Sequence, residues 1–224
     1  MLRDSIKSEA YFKKYIQDQE KRIGRFQEIA AGLPGTETEK IKRCKRVAAN
    51  FQRDLIYAKY SAGASKQELQ KAYRKYLGFL ACAGAANYAE YIDVLSMAIV
   101  LDVSLDDSMG ILEECEFSDG LTGLLAGYIR NRKIGQEGEP LLYEDYYKIF
   151  QEYLIGNCKI AKLREYMEQE WYQASKEFAW YGSDESPEDI YTGYWCWLAG
   201  ACVKIRGEEA SSLELKYTPL DILR

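Results

Sequence analysis

The chain has 224 residues, with 47% hydrophobic and 29% charged side chains, the ordinary balance of a globular protein. Its formal net charge is −5, and it contains no histidine. That absence excludes Ser-His and Cys-His nucleophilic pairs, histidine metal sites and histidine proton shuttles.

The first helix is predicted over residues 4–31. Its apolar residues recur at helical spacing, and the Leu-Pro-Gly-Thr sequence at 33–36 ends it. The apolar series is Ile6, Tyr11, Tyr15, Ile23, Phe26 and Ile29.

A second helix to about Tyr60 and a third to about Ala83 follow. Each is preceded by a Ser/Thr-x-x-Glu sequence, which is the spacing of a capping box. The two capping pairs are Thr36 with Glu39 and Ser65 with Glu68.

The middle of the chain predicts three more helices, the first over residues 86–101. The second begins at Ser104 and ends near Phe117, and the third begins at Ser118 and ends near Asn131.

After a polar, glycine-containing stretch at 132–140, one or two helices are predicted between 141 and about 179. The sequence Ser-Pro-Glu-Asp at 186–189 then predicts the start of a last helix.

That helix carries the unusual sequence YTGYWCWLAGACVKIRG (191–207), which is rich in tryptophan and tyrosine. A core helix, a ligand or base-stacking site and a membrane contact are the competing interpretations. Base stacking needs basic surroundings, whereas residues 184–189 are acidic, and a membrane helix would be longer with basic flanks. We interpret the stretch as a central core helix in which Gly200 lets neighbouring backbones approach. One face of it would carry Tyr191, Trp195, Leu198, Cys202 and Ile205.

No stretch alternates like a β-strand, so the predicted class is all-α, a multi-helix bundle or stacked helical array of about 8–10 helices. The loop at 132–140 divides the chain into an N-terminal helical region, 1–131, and a C-terminal helical region, 141–224. We expect the two regions to pack as one globular unit.

Each half of the sequence contains two distinctive motifs. The first half has RDSIKSEAYFKKYI near the start and YSAGASKQEL at 60–69. The second half has the Tyr-Trp sequence GYWCWLAGACVKIRG and a Tyr-x-Pro-x-Asp tail, with the motif residues Tyr194, Trp195, Tyr217, Pro219 and Asp221. In these motifs the chain resembles the PoNi family of bacterial immunity proteins, with Ile222 in place of the usual leucine.

The resemblance implies an antidote that binds and blocks a secreted polymorphic toxin, often a DNase, in competition between bacteria. Such toxins are delivered by type VI secretion or by other contact-dependent systems. The resemblance implies no enzymatic activity and no cofactor. It does not locate the surface that binds the toxin.

The charges are distributed unevenly along the chain. Residues 1–80 have 18 basic and 9 acidic side chains, a net charge of +9, whereas residues 81–224 have a net charge of −14. Between Lys75 and Arg130 there are nine acids and no base. An acidic surface attracts a basic partner, and a nuclease is basic where it binds phosphate.

Several of these acids have a simpler explanation. Asp106 and Asp107 lie in the first turn of a predicted helix, where each stabilises the helix dipole by about 0.3–1 kcal/mol. Asp119 sits at another predicted helix start. Glu113, Glu114 and Glu116 lie near a helix C-terminus, where negative charge is unfavourable, so they either pair with bases of the first half or contact a partner. The predicted partner-binding residues are Glu113, Glu114, Glu116, Asp102, Asp106, Asp107, Asp184 and Glu185.

The basic first half offers an alternative function, because lysine, arginine and tyrosine alternate there at helical spacing. It would be a helical nucleic-acid-binding or scaffold protein, although such a face is more often solvated, with long side chains covering tyrosine rings. Carboxylate pairs such as Glu113 with Glu116 would also suit a metal-dependent enzyme, but di-metal helix sites usually include a histidine.

The N-terminus has no apolar signal-peptide segment, and no apolar run approaches the roughly 20 residues that span a bilayer. We therefore expect a cytoplasmic protein that does not contact a membrane. The resemblance, together with the acidic charge, implies that its partner is a basic nuclease toxin and that it does not bind nucleic acid directly. In that reducing compartment the six cysteines would be small buried apolar residues.

Overall fold

The computed structural model describes residues 1–85, 87–104, 118–134 and 140–223. Within these ranges the regular elements are nine α-helices and three short 3₁₀ helices, with no strand, which confirms the all-α prediction. The chain forms two compact units. The described residues of unit 1 are 1–85 and 182–193, and those of unit 2 are 87–104, 118–134, 140–181 and 194–223.

Unit 1 consists of three helices in sequence and a later segment. Helix α1 packs against α2, and α2 packs against α3. The helices are α1 (Glu9–Gly32), α2 (Thr38–Ser61) and α3 (Lys66–Ala83), with a 3₁₀ helix at Ser183–Glu185.

The start of α3 confirms the capping box predicted for Ser65 and Glu68, because each side chain accepts a bond from the other residue's backbone N–H. The other predicted box is wrong. Helix α2 has Glu37 at its N-cap, without a side-chain cap. In α1 Tyr15 and Ile23 are buried as expected, but Ile29 is exposed.

Helix α1 also begins later than predicted. Its N-cap is Ser8, whose side chain accepts a hydrogen bond from the Tyr11 N–H. Residues 1–7 are not helical, and Ile6 is therefore exposed rather than part of an apolar helix face. The carboxylate of Asp4 instead accepts the backbone N–H groups of Ile6 and Lys7, both at 2.8 Å.

Unit 2 contains the other six α-helices. Helix α4 packs against α5 and α9, and α6 packs against α5, α7 and α9. The helices are α4 (Tyr88–Leu101), α5 (Gly120–Asn131), α6 (Glu144–Ile155), α7 (Ile160–Gln169), α8 (Trp171–Ala174) and α9 (Trp197–Ile205), with 3₁₀ helices at Ala210–Ser212 and Asp221–Leu223.

The last predicted helix begins about ten residues later than expected. Residues 186–196 are not helical, and α9 starts only at Trp197. Gly193 has φ +105°, which no α-helix contains, and the Tyr191 and Thr192 carbonyls accept hydrogen bonds from the side chains of Tyr11 and Ser61. These hydrogen bonds from distant side chains take the place of backbone hydrogen bonds within a helix. Ser186 and Pro187 therefore start no helix.

The core assignment of this stretch is nevertheless confirmed. Trp197 and Cys202 have no exposed surface, and Leu198 is 3% exposed. A Cβ atom on Gly200 would lie 3.1 Å from Pro219 Cγ and 3.2 Å from Val100 Cγ2, so the glycine is needed for close approach. The Tyr-x-Pro tail is thus part of the packing around α9.

The cysteines follow their prediction only in part. Cys196 and Cys202 are buried, and burial raises the pKa of the Cys196 thiol to about 12. Cys82 is exposed, and the Lys45 ammonium donates to its sulfur at 3.1 Å, so the prediction is wrong there. Cys115 lies outside the described residues.

Candidate partner-binding surfaces

An acidic segment of unit 1, residues 182–193, is held by side chains from α1 and α2; we refer to it as the acidic strap. The Tyr11 hydroxyl donates to the Tyr191 carbonyl at 2.9 Å, and the Ser61 hydroxyl donates to the Thr192 carbonyl at 2.7 Å. The Tyr191 hydroxyl donates to the buried carboxylate of Asp4 at 2.6 Å. The strap therefore forms part of the packing of unit 1.

Lysines of unit 1 also contact the strap. The Lys7 ammonium donates to the backbone carbonyl of Asp184 at 2.8 Å, and the Lys14 ammonium lies 2.5 Å from the Asp189 carboxylate. Of the two predicted contact residues here, Asp184 is half-buried and Glu185 is exposed. Part of the strap's negative charge is therefore neutralised within unit 1.

The third described candidate, Asp102, belongs to unit 2. It follows the last residue of α4 in a left-handed conformation, with φ 55°. Its carboxylate lies 2.6 Å from the ammonium of Lys204 on α9. The remaining predicted contact residues, Asp106, Asp107, Glu113, Glu114 and Glu116, lie outside the described residues, and their role stays a prediction.

Asp119 lies at a helix start, as the sequence predicted, although the predicted first residue of that helix was Ser118. It is the N-cap of α5, where it forms a capping box with Thr122. Its carboxylate also accepts the Tyr88 hydroxyl at 2.7 Å and the Leu142 N–H at 3.0 Å, and it is buried. Burial raises the pKa of Tyr88 well above its ordinary value, and the hydrogen bond to Asp119 raises it further.

Part of the basic charge of unit 1 is also used inside the unit. Arg46 donates to the Ala83 carbonyl at 3.1 Å, and Lys59 pairs with Glu20 at 2.9 Å. The guanidinium of Arg3 lies 4.5 Å from the centre of the Tyr60 ring, as expected when long side chains cover tyrosine.

A cluster of half-buried aromatic side chains lies in unit 2 around the buried ring of Trp171. Trp180 stacks on Trp171 with ring centres 5.3 Å apart, and Phe178 stacks on Trp180 at 5.9 Å. Tyr172 stacks on Tyr181 at 4.6 Å. We call the five half-buried members the aromatic surface: Tyr172, Phe178, Trp180, Tyr181 and Tyr217.

Tyr217 joins this cluster from the C-terminal tail. Its ring lies 5.1 Å from Trp171 and 6.0 Å from Tyr172, and its backbone has the left-handed φ of 60° that is uncommon for tyrosine. The Tyr217 carbonyl accepts the Cys196 N–H at 2.6 Å. This bond ties the tail to the residue that precedes α9.

Several polar atoms of the cluster have no hydrogen-bond partner within the described part of the chain. They are the indole N–H of Trp180 and the hydroxyls of Tyr172 and Tyr217. The indole N–H of Trp171 also lacks an acceptor there, although its residue is only 2% exposed. A buried donor without an acceptor costs about 1–3 kcal/mol.

Acidic residues flank the aromatic residues in the sequence. Four exposed glutamates at 165–177 form no ion pair with any described residue. We call them the flanking glutamates: Glu165, Glu168, Glu170 and Glu177. Between 164 and 181 the bases are Arg164 and Lys176, so the stretch is acidic.

This surface was not predicted from the sequence, where residues 191–207 and the acids before Arg130 are the more conspicuous features. A signal was present, since Trp171, Tyr172, Phe178, Trp180 and Tyr181 fall within eleven residues that begin directly after Glu170. Aromatic side chains at that density are typical of an interaction surface.

Among the residues that the structure describes, no group of three or more cysteine, aspartate or glutamate side chains could hold a metal ion. In the same ranges, no helix is long and apolar enough to cross a membrane.

Partly exposed tryptophan and tyrosine side chains, as on this helical unit, are enriched at protein–protein interfaces. Comparison with family models identifies the family. Residues 3–110 match "PoNe immunity protein (PoNi), N-terminal", and residues 121–222 match "PoNe immunity proteins (PoNi), C-terminal". The chain belongs to this family, which confirms the resemblance inferred from its motifs. No curated protein and no solved structure matches it.

Proposed function

We propose that this chain binds and neutralises a cognate secreted nuclease toxin by masking the groove in which the toxin binds its substrate. The observation that carries the proposal is the match of both parts of the chain to PoNe immunity proteins, which indicates toxin immunity. Masking needs no chemistry from the inhibitor, because a tightly bound protein excludes the substrate by volume and charge.

The charge distribution supports a basic, phosphate-binding target. Residues 81–224 have a net charge of −14, and residues 105–117 and 135–139 contain seven acids without a single base. A nuclease must present lysine and arginine where it holds the phosphate backbone. An acidic inhibitor is attracted to that same surface and associates faster at low salt.

Co-expression tests the protective role directly. We expect this chain to restore growth to cells that express the toxin domain encoded beside it. In vitro, DNA cleavage by that domain should fall to zero at about one inhibitor per toxin. Growth arrest that persists despite comparable expression of the chain would contradict the proposal.

Masking of the toxin's substrate-binding groove makes a further prediction that binding elsewhere on the toxin does not make. DNA bound to a catalytically inactive variant of the toxin domain should be displaced by this chain, and the two should compete in a fluorescence-anisotropy titration. A ternary complex of toxin, DNA and inhibitor would contradict masking while leaving toxin binding intact.

The acids outside the described residues are tested by reversing three of them together, Glu113→Lys, Glu114→Lys and Glu116→Lys. We expect toxin association to slow by about tenfold at low salt and to depend less on salt, since charge acts mainly on the association rate. Circular dichroism should show unchanged helix content. Unchanged kinetics would remove these three residues from the contact surface.

A further inference from the structure

The aromatic surface combines features that a packed core does not need. Its rings are stacked on one another and on buried Trp171, so their positions are fixed before any partner binds. Each ring nevertheless remains partly exposed to solvent. Rings that are fixed in advance lose little conformational entropy on binding, which makes tryptophan and tyrosine effective anchors.

Three polar atoms on these rings are available to a partner. The Trp180 indole N–H and the hydroxyls of Tyr172 and Tyr217 make no hydrogen bond within the described ranges, whereas the Tyr181 hydroxyl donates to Gln173. A partner that supplied acceptors to these three groups would add hydrogen bonds without breaking any bond inside this part of the protein.

The flanking glutamates select the chemistry of the partner. Their carboxylates are exposed and form no ion pair with a described residue, whereas Asp102 and Asp189 are paired with lysines. A guanidinium can stack on an aromatic face and pair with a carboxylate at the same time. Nucleic acid, the other common ligand of stacked aromatic rings, requires a basic surface and is disfavoured beside these acids.

From this combination we infer that the aromatic surface and the flanking glutamates form the docking site for an arginine- and lysine-bearing face of the toxin. The inference rests on the proposed function and names the surface that performs it. Trp180 and Tyr172 are the central anchors, and Glu168, Glu170 and Glu177 attract the basic side chains around them.

The charge part of the inference is tested with the triple variant Glu168→Lys, Glu170→Lys and Glu177→Lys. All three side chains are exposed, so we expect the fold to be unchanged. Association with the purified toxin domain should slow at least tenfold in biolayer interferometry, and its salt dependence should weaken. The matched control is a triple variant in helices α1 and α2, Glu9→Lys, Glu28→Lys and Glu39→Lys. It changes the net charge by the same amount and should alter binding less than about twofold.

The aromatic part is tested with Trp180→Ala, which should raise Kd about 30-fold, mainly through faster dissociation. Trp180→Phe keeps the stacking and should recover most of the affinity. Thermal melting distinguishes a loss of binding from unfolding of the variant. If Trp180→Ala does not fold, the triple glutamate variant tests the assignment of this surface.

The outcomes are distinguishable. Failure of the unaltered chain to bind the toxin domain would remove the proposed function itself. Binding by the unaltered chain that survives the Glu168, Glu170 and Glu177 reversals, or that is weakened more by the α1 and α2 control, would overturn only the assignment of this surface. Quenching of tryptophan fluorescence by a DNA oligonucleotide alone, if it is lost in Trp180→Phe, would indicate a nucleic-acid ligand and overturn it too.

Discussion

Two acidic stretches follow one another in the sequence, residues 165–181 and the acidic strap at 182–193, and the fold uses them differently. In the strap, two backbone carbonyls accept hydrogen bonds from Tyr11 and Ser61, and the Asp189 carboxylate pairs with Lys14. In the preceding stretch the flanking glutamates and several aromatic polar atoms have no described partner. The number of acids in a segment therefore does not reveal which of them can serve a partner.

The largest difference between the two stretches should appear when a tyrosine hydroxyl is removed from each. Tyr191→Phe removes one charge-assisted hydrogen bond from the buried Asp4 carboxylate, and we expect a loss of about 2 kcal/mol in the free energy of unfolding. Tyr172→Phe is the matched control, because its hydroxyl has no partner among the described residues, and should change stability by less than about 0.5 kcal/mol.

Urea unfolding followed by circular dichroism measures both variants. Equal losses would contradict the distinction between the strap and the aromatic surface.

A smaller effect is expected at alkaline pH, where the bond that Tyr11 makes to the strap is sensitive to ionisation. Burial raises the pKa of Tyr11 from 10.0 to about 12. A raised pKa means that the unfolded chain releases its proton first, so stability is fully retained below about pH 10 and falls as the pH rises toward 12.

Other buried tyrosines contribute to the same loss, so the informative quantity is the difference between the unaltered chain and Tyr11→Phe. The variant should lose less stability between pH 9 and about pH 11 in urea titrations, although it is less stable at pH 7. A steeper loss in the variant would contradict the assignment.

The smallest effect is expected for the exposed pair of Lys14 and Asp189. The hydrogen bond to Asp189 raises the pKa of Lys14. Lysine is charged at neutral pH in any case, so the attraction between Lys14 and Asp189 is fully present there. Because both side chains are exposed, Lys14→Met should lower the melting temperature slightly in low salt and not measurably in about 1 M salt. A large, salt-independent fall would show that the pair anchors the strap more strongly than its exposure indicates.

The local signals in the sequence were reliable where the interactions are themselves local. The capping box of Ser65 and Glu68 joins residues three apart, and the structure has it as predicted. Asp119 similarly caps the helix whose start the sequence indicated. Ser186 and Pro187 gave an equally clear local signal that failed, because hydrogen bonds from distant Tyr11 and Ser61 hold the next residues in a non-helical conformation.

The candidate sites were harder to predict than the fold. The acidic charge of the sequence predicted Asp102 and Asp184 as contact residues. In the structure Lys204 lies beside Asp102, and Lys7 donates a hydrogen bond to the backbone of Asp184. The aromatic surface escaped prediction because Tyr217 reaches it from the far end of the chain. Spacing along the sequence contains no information about such a contact.

The helical class, the burial of Trp197 and Cys202, and the family could be predicted from the chain alone, because periodicity, composition and linear motifs are properties of neighbouring residues. The start of α9, the carboxylates that face a lysine and the aromatic rings that remain partly exposed became apparent only in the folded protein. Those outcomes depend on contacts between residues far apart in the chain, where a few hydrogen bonds and ring contacts outweigh a local helix preference.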